Sequence, residues 1–298
     1  MQIGAIMKDK ILVIGSGLLG RAFFQTPSEK YIFFLAYRNN PLQSVAKTFK
    51  LDITNSKEVE KTLSTIKPDC IINTAAFTNV DLCEKERAEA EKVNIEGPLN
   101  ISEAANNVKA KLIHISTDFV FDGKKGNYSE EDKPNPLSWY GRTKLEGEEK
   151  IAEKCKDFII ARTSVLYGWN SQKKNFATWV VDSLKKQERI SLFSDQYTSP
   201  TYAPNLAESL LASYEKDLSG LFHASGSERI DRFDFGMKIA EIFSLDKSLI
   251  SKIKTAELSQ IAERPKDSSL NISKFENGAG IKMLNVKEGL MRMKKEEI

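Results

Sequence analysis

The segment from Lys10 to Gly20, KILVIGSGLLG, constrains the fold of this chain more than any other stretch. Its apolar, β-branched run predicts a buried strand, and three glycines then follow at G-x-G-x-x-G spacing, before the start of an amphipathic helix. In that order Gly15 would make a tight turn, Gly17 would let the backbone approach a pyrophosphate, and Gly20 would let the helix pack on the strand. The alternative is a glycine-rich turn that binds no ligand.

Further apolar runs alternate with helical patterns along the first half of the chain. The strand candidates are Tyr31 to Tyr37, Phe49 to Ile53, Cys70 to Ala76, Lys111 to Ser116 and Asp157 to Ser164. This alternation predicts an α/β fold with a doubly wound, parallel, Rossmann-type sheet. Ligands of such sheets bind beyond the carboxyl ends of the strands, where Thr117 and Asp118 fall. We interpret His114, inside an apolar run, as a core histidine with satisfied polar atoms.

The alternation loosens after about residue 164. We therefore predict a nucleotide-binding domain over 1–164, with return segments near 188–220, and a smaller substrate-binding lobe mainly over 165–298. Between Asp81 and Asn107 the pattern is helical, with Gly97-Pro98 as a break or kink.

Composition excludes several function classes. Forty-four basic and 41 acidic residues leave a formal charge of +3, which gives no reason to expect nucleic acid or an anionic membrane as a partner. Three cysteines and two histidines predict neither a disulfide framework nor a zinc site, so no metal is expected. No stretch approaches the ~20 apolar residues of a membrane span, and no signal peptide is recognised. The reduced cytoplasm is the simplest location.

Tyr140 and Lys144 are the candidate proton-transfer pair. If Ser138 caps a helix here, the two side chains lie one turn apart on the same face. A phenol titrates near ~10 in water, so it needs a nearby cation to become a useful acid at neutral pH. The alternative is an ordinary solvated helix face.

Arg38 bears on the choice of coenzyme. An acidic residue about 20 positions beyond the glycines usually binds the ribose of NAD, whereas an arginine there accommodates the 2′-phosphate of NADP. Arg38 occupies that place, at the end of the second predicted strand. This favours NADPH, with NADH as the alternative, unless the arginine is only a solvated side chain at a strand end.

Several motifs, taken together, resemble one family over nearly the whole chain. They occur in the family's order as NTAAFTNVDLCE, VNIEGP, STDFVFDG, YGRTKLEGE, ARTSVLYG, NFA, DQYTSPTYAPNLA, GLFHASG and ERPKDSSL. The chain thus resembles the extended short-chain dehydrogenase/reductases, and within them the dTDP-4-dehydrorhamnose reductase family. The resemblance implies hydride transfer from a nicotinamide to the C4 carbonyl of dTDP-4-dehydro-L-rhamnose, which would give dTDP-L-rhamnose.

The resemblance also implies roles for individual residues. Thr117 would hydrogen-bond the substrate carbonyl, Tyr140 would donate the proton, and Lys144 would hold the nicotinamide ribose and lower the pKa of the tyrosine. The coenzyme would be bound by Gly15, Gly17, Leu18, Leu19, Gly20, Arg38, Asp52, Ile53, Ala75, Ala76, Tyr140 and Lys144. The nucleotide-sugar would contact Thr117, Asp118, Asn175 and Arg264.

The sequence departs from the family pattern at three places that would contact the coenzyme or the sugar substrate. The glycine loop is one residue shorter, Val165 replaces a tryptophan that packs on the sugar, and Thr198 replaces a glycine. Two other functions share these motifs. One is a non-catalytic subunit like the regulatory β subunit of methionine adenosyltransferase, and the other is a nucleotide-sugar epimerase. Whether a homodimer forms is left open.

Overall fold

A seven-stranded parallel sheet lies at the centre of the molecule. The structure is a computed structural model and describes residues 8–25, 29–42, 45, 47–169 and 173–297. The strands of this sheet, numbered with all others in chain order, are β1 (Asp9–Ile14), β2 (Tyr31–Tyr37), β3 (Thr48–Lys50), β4 (Cys70–Asn73), β5 (Lys111–Thr117), β6 (Phe158–Thr163) and β11 (Gly220–His223). Their order is β11-β6-β5-β4-β1-β2-β3, and all pairs are parallel. The predicted doubly wound Rossmann-type sheet is confirmed.

Helices cover both faces of the sheet. The helices are α1 (Leu18–Phe23), α2 (Ser56–Ile66), α3 (Val80–Lys85), α4 (Arg87–Glu91), α5 (Gly97–Val108), α6 (Trp139–Lys154), α7 (Phe176–Lys185), α8 (Ala203–Glu215), α9 (Arg232–Ile242), α10 (Ser273–Ala279) and α11 (Val286–Lys295). Ile11 and Val13 point to a core shared with α1, α8 and α10, whereas Leu12 and Ile14 point to a core shared with α2, α5 and α6. Because both faces are buried, the strands read as continuous apolar runs.

Local sequence sets the ends of α2. Asn55 has an extended backbone, and its side chain accepts a hydrogen bond from the Glu58 N–H at 3.3 Å, so it is the N-cap. The helix ends at Ile66 because Lys67 takes a left-handed conformation with φ +50°.

The helical region from 81 to 107 is interrupted more often than the sequence predicts. It comprises α3, α4, a π-helical turn at Lys92–Glu96 and α5. A Cβ at Gly97 would lie 2.6 Å from Cδ1 of Ile53, so the glycine lets α5 approach the loop after β3. Glu96 and Gly97 both have helical backbone angles, so the π-helical turn continues directly into α5 and the predicted break at Gly97-Pro98 is not formed.

The second half of the chain contributes to the main sheet and also builds a separate core. The return to the sheet is made by α8, which packs in the α1 core, and by β11, which pairs with β6. In contrast to our expectation of a return near residue 188, strand β8 (Ile190–Phe193) pairs with β13 (Ile250–Ile253) outside the main sheet. The short strands β7 (Leu166–Tyr167), β9 (Tyr197–Thr198), β10 (Thr201–Tyr202) and β12 (Ile230–Asp231) form two further pairs.

The separate core joins α7, β8, α9 and α11 through apolar side chains. It supports the predicted division into a nucleotide-binding domain and a smaller lobe, which stays a prediction. Among the described residues, no helix has both the length and the apolar character that crossing a bilayer requires.

Candidate active site

A cavity of about 760 Å³ opens at the carboxyl ends of β1, β2, β4, β5 and β6. Parallel strands place their carboxyl ends at one edge, so residues far apart in sequence meet there. The structure brings these predicted residues to its wall: Gly15, Gly17, Leu18, Leu19, Arg38, Asp52, Ile53, Ala75, Ala76, Thr117, Asp118, Tyr140, Lys144 and Asn175. Their location is observed, and their roles stay predictions.

The glycine turn forms one end of this cavity. Gly15 has φ +109°, and a Cβ there would lie 2.5 Å from Oγ1 of Thr74. A Cβ at Gly20 would lie 1.9 Å from the Gly15 carbonyl oxygen, so Gly20 serves the packing of α1 on the turn and does not line the cavity. A Cβ at Gly17 would meet no atom of the described residues within 4 Å, so the backbone there faces open space.

Two features of the wall fit an extended, polar ligand such as a dinucleotide. The open backbone at Gly17 leaves room for a group to approach the main chain, as a pyrophosphate requires. Ser116 also lines the cavity, is 3% exposed, and its hydroxyl has no hydrogen-bond partner among the described residues. A buried polar atom without a partner is costly, and a bound ligand would satisfy it.

Arg38 lies at the rim and is paired with two carboxylates. Its guanidinium is 3.0 Å from Oε1 of Glu89 and 3.5 Å from Oδ2 of Asp52, and about half of its side chain is exposed. Asp52 also accepts hydrogen bonds from the backbone and the hydroxyl of Thr54, at 3.0 and 2.8 Å. Arg38 is therefore held at the cavity rim, although its charge is shared with neighbouring acids. Contact with a 2′-phosphate stays a prediction.

Helix α6 carries the proton-transfer pair. Oγ of Ser138 accepts a hydrogen bond from the Gly141 N–H at 3.2 Å, which confirms the predicted cap and fixes the start of the helix. Lys144 is 1% exposed, and its Nζ donates to the Ile115 carbonyl at 2.7 Å. Burial lowers the pKa of Lys144 to about 8, and the negative charge of Glu148 partly opposes this change.

The pKa of Tyr140 departs from the expected direction. Burial raises it above the ordinary value of a tyrosine, and a hydrogen-bonding interaction with Thr117 opposes the rise. The predicted lowering by Lys144 is not produced by the protein's own groups. The physical reason is that the phenol loses hydration on burial, and this loss outweighs the interaction with Thr117.

Thr117 and Asp118 join the sheet edge to the C-terminal half. Oγ1 of Thr117 donates to Oδ1 of Asp118 at 3.1 Å and accepts from the Phe119 N–H at 3.2 Å. The other oxygen of Asp118 accepts from the hydroxyls of Ser164 and Ser268, at 2.7 and 2.5 Å. Burial raises the pKa of Asp118 despite these bonds. The carboxyl group is therefore fixed by three hydroxyls before any substrate contact.

Asn175 has a structural duty in addition to its place on the wall. Its Oδ1 accepts from the Thr178 N–H at 3.2 Å, and its Nδ2 donates to the Gly168 carbonyl at 2.7 Å. The amide thereby caps α7.

A second cavity of about 300 Å³ adjoins the first. Val80 and Phe176 line it, and their chain neighbours Asn79 and Asn175 line the larger one. Phe119 also lines the smaller cavity, with its ring centroid 5.9 Å from that of Tyr140. The smaller cavity thus lies close to the proton-transfer pair.

Two arginines line the smaller cavity, and they differ in their partners. The predicted Arg264 is bound in a bidentate ion pair to Asp81 at 2.5 and 2.8 Å, so its guanidinium is already engaged. Arg232 was not predicted from the sequence. Within the described part of the chain it forms no ion pair, and its Cζ lies 5.1 Å from the centroid of the Phe176 ring. Burial lowers the pKa of Arg232, and Asp118 opposes this change. Arg232 is thus the cation available to an anionic ligand.

Two departures from the family pattern are located here. Val165 lines the large cavity with φ +39°, a left-handed conformation that is unusual for a β-branched residue. The hydroxyl of Thr198 is buried, and no partner for it is present among the described residues.

Comparison with known proteins places the chain in a family. The model of the RmlD substrate binding domain matches residues 8–298. A dTDP-4-dehydrorhamnose reductase from Aggregatibacter actinomycetemcomitans is 32% identical over 91% of this chain and 94% of its own length. The methionine adenosyltransferase 2 subunit beta of Rattus norvegicus is 30% identical over 91% of this chain and 83% of its own length.

A solved structure agrees with these matches. The dTDP-4-dehydrorhamnose reductase from Bacillus anthracis str. Ames, in complex with NADP, superimposes with a TM-score of 0.89. The two sequences are 32% identical, and the match covers 98% of this chain and 100% of the other. The chain therefore belongs to the dTDP-4-dehydrorhamnose reductase family, within the extended short-chain dehydrogenase/reductases.

Proposed function

We propose that this protein reduces the 4-keto group of a nucleotide-linked deoxysugar, using NADPH. One observation carries the proposal: Thr117, Tyr140 and Lys144 line the same cavity as the glycine turn. An acid, an amine that can return a proton to it, and a dinucleotide-type turn in one cavity are the parts that carbonyl reduction requires. Membership of a reductase family supports the same conclusion.

The coenzyme would occupy the larger cavity. Gly17 and the start of α1 would face its pyrophosphate, Asp52 and Arg38 its adenosine end, and Lys144 its nicotinamide ribose. NADPH, when bound, supplies the hydride that adds to C4 of the sugar. The solved relative from Bacillus anthracis was obtained with NADP, which supports this coenzyme.

The protein's own groups would supply the proton. Hydride addition turns the C4 carbonyl into an alkoxide, which needs a positioned acid. We assign that acid to the Tyr140 hydroxyl. The Thr117 hydroxyl, whose proton lies toward Oδ1 of Asp118, would turn to donate to the same substrate oxygen. Lys144 would then return a proton to the tyrosine. General acid catalysis of this kind contributes roughly 10² to 10⁴ in rate.

The nucleotide part of the substrate would occupy the smaller cavity. A diphosphate carries negative charge, and Arg232 has no ion-pair partner within the described residues. Phe176 and Trp179 offer aromatic surface for a base. We assign the substrate specifically as dTDP-4-dehydro-L-rhamnose, the product as dTDP-L-rhamnose, and the location as the cytoplasm.

A direct assay of NADPH oxidation tests this function. Purified protein is mixed with NADPH and dTDP-4-dehydro-L-rhamnose, and nicotinamide absorbance is followed while the sugar product is identified. We expect the absorbance to fall with formation of dTDP-L-rhamnose. Tyr140→Phe is the matched control, because it removes the acid and keeps the ring.

The same assay separates the alternatives. Tight NADPH binding without any oxidation would favour a regulatory subunit like the rat methionine adenosyltransferase subunit beta, which matches this chain. Conversion of a nucleotide-sugar without net consumption of coenzyme would indicate an epimerase. Either result would contradict the proposed reduction.

A further inference from the structure

We propose that His114, with its tautomer fixed by Asn73, is a positioning residue that holds the Lys144 amine and sets its protonation state. The inference rests on the proposed function only for its kinetic test. The sequence indicates no more than a satisfied core histidine at this position. The structure places Nε2 of His114 3.0 Å from Nζ of Lys144.

The orientation of the Asn73 amide determines which ring nitrogen carries the proton. Oδ1 of Asn73 accepts a hydrogen bond from the Ala75 N–H at 3.1 Å, so its Nδ2 is the end that faces His114, 3.0 Å from Nδ1. Because an amide NH₂ can only donate, Nδ1 of the ring must accept. The proton of the neutral imidazole therefore lies on Nε2 and points toward Lys144.

This tautomer favours one form of the lysine. An N–H at Nε2 can donate to a neutral amine, whereas an ammonium has no lone pair and would face another donor. At the same time, the Ile115 carbonyl accepts from Nζ at 2.7 Å and fixes its position. The ring thereby lowers the proton affinity of Lys144 and keeps its Nζ on the side of β5.

Burial and neighbouring charges are consistent with this arrangement. Burial and the nearby Lys144 hold the pKa of His114 well below its usual range, so the ring stays neutral. Glu148 on α6 is the charged group that acts on Lys144, whereas Asp118 after β5 and Cys83 on α3 act on Tyr140. Glu148 is itself paired with Arg162 of β6 at 2.6 Å, which reduces its influence on Lys144.

The consequence for the reaction concerns proton return. An amine that titrates near neutral pH can give a proton to the Tyr140 oxygen after each turnover more readily than one that titrates near ~10.4. The hydrogen bonds that orient His114 also reach the cavity wall. Ala75, whose N–H fixes the Asn73 amide, lines the cavity.

A measurement on the unaltered protein tests the tautomer directly. The chain has two histidines, and Nδ1 of His223 lies 2.9 Å from the Tyr128 carbonyl, so that nitrogen must carry the proton. We therefore expect long-range ¹H–¹⁵N spectra of histidine-labelled protein to show two opposite neutral tautomers. The ring protonated at Nε2 should be that of His114. The other signal should disappear in His223→Leu, which assigns each signal to its histidine. An Nδ1–H tautomer for His114, or a charged ring between about pH 6 and 8, would overturn the proposal.

A kinetic test uses Asn73→Asp. The introduced carboxylate can still accept from the Ala75 N–H, and its second oxygen would accept from Nδ1, which moves the ring proton off Nε2. Nε2 of the ring could then accept a hydrogen bond from the Lys144 ammonium, which favours the protonated lysine. The pH at which kcat falls on the basic side of its profile should therefore move upward by roughly one pH unit or more.

Two variants separate this effect from the added charge. In a His114→Leu background the shift caused by Asn73→Asp should be clearly smaller, since only direct charge attraction remains. His223→Leu should leave the limb where it is. Equal shifts with and without His114 would overturn the proposal. Absence of any NADPH oxidation would instead count against the proposed function, while the tautomer measurement would still decide the inference.

Discussion

Replacing Arg232 with methionine tests how the smaller cavity binds an anion. Methionine keeps an apolar stem against Phe176 and removes the charge. Arg232 is partly buried, and no carboxylate within the described residues pairs with it, so its guanidinium is free to bind a diphosphate. Hydrogen bonds to charged groups contribute about 1.5–3 kcal/mol. Since each 1.4 kcal/mol is tenfold, KM for the nucleotide-sugar should rise roughly 10- to 150-fold.

The assay is steady-state NADPH oxidation over a range of sugar concentrations, with coenzyme affinity measured separately by fluorescence titration. Affinity for NADPH should not change, because Arg232 lies outside the larger cavity. The matched control is Arg229→Met, three residues earlier, where the arginine is already paired with Asp267 at 2.7 Å and stacked on Tyr197. That variant should leave KM nearly unaltered.

Two outcomes would refute the reasoning about Arg232. The first is an unchanged KM for the nucleotide-sugar in Arg232→Met. The second is an equal loss of affinity for sugar and coenzyme, which would point to a general disturbance of the fold.

Three further substitutions test the fold and the coenzyme site. Glu148→Gln leaves Arg162 buried without its counter-charge. The free energy of unfolding, measured in urea, should therefore fall by about 3–5 kcal/mol. A loss below about 1 kcal/mol would contradict the importance of this ion pair. Gly20→Ala places a Cβ 1.9 Å from the Gly15 carbonyl oxygen, so the glycine turn must shift. NADPH affinity should then drop at least about tenfold. Unchanged affinity would mean that the turn does not bind coenzyme. Arg38→Asp should weaken binding of NADPH relative to NADH, and an unaltered ratio in fluorescence titrations would leave Arg38 as a surface ion-pair residue.

The parts of the site that follow from local sequence were predictable. The strand and glycine turn around Gly15, and the Ser138 cap that sets Tyr140 and Lys144 on α6, depend on contacts between residues close in the chain. The edge position of Thr117 followed from the rule that parallel strands end together. These features needed no knowledge of long-range contacts.

The parts that depend on long-range contacts were not predictable. Nothing in the segment around Arg232 indicates that it meets Phe176, which lies far earlier in the chain. Apolar periodicity shows that His114 is buried, but not that it touches Lys144. The engagement of Arg264 by Asp81 likewise depends on how the C-terminal half folds back over α3.

The pairing of β8 with β13 was missed for a similar reason. The segment ISKI is short and half exposed, so it lacks the apolar signal of the central strands. Both β8 and β13 pack against α9 in the separate core, a contact between distant segments that the sequence does not reveal.

The raised pKa of Tyr140 carries a different lesson. The spacing of Tyr140 and Lys144 alone predicts a lysine that lowers the pKa of the tyrosine. It contains no information on how completely the phenol and the amine are desolvated. In the folded chain desolvation is the largest effect at both groups, and it shifts their pKa values in opposite directions, upward for the phenol and downward for the amine.

The most direct test of the central claim compares the unaltered protein with Tyr140→Phe at saturating NADPH and dTDP-4-dehydro-L-rhamnose, after titration has shown equal coenzyme affinity. We expect the unaltered protein to oxidise NADPH and to form dTDP-L-rhamnose, and we expect kcat of the variant to fall by roughly 10²- to 10⁴-fold. A variant that turns over at the unaltered rate, with its NADPH affinity retained, would contradict the assignment of Tyr140 as the proton donor.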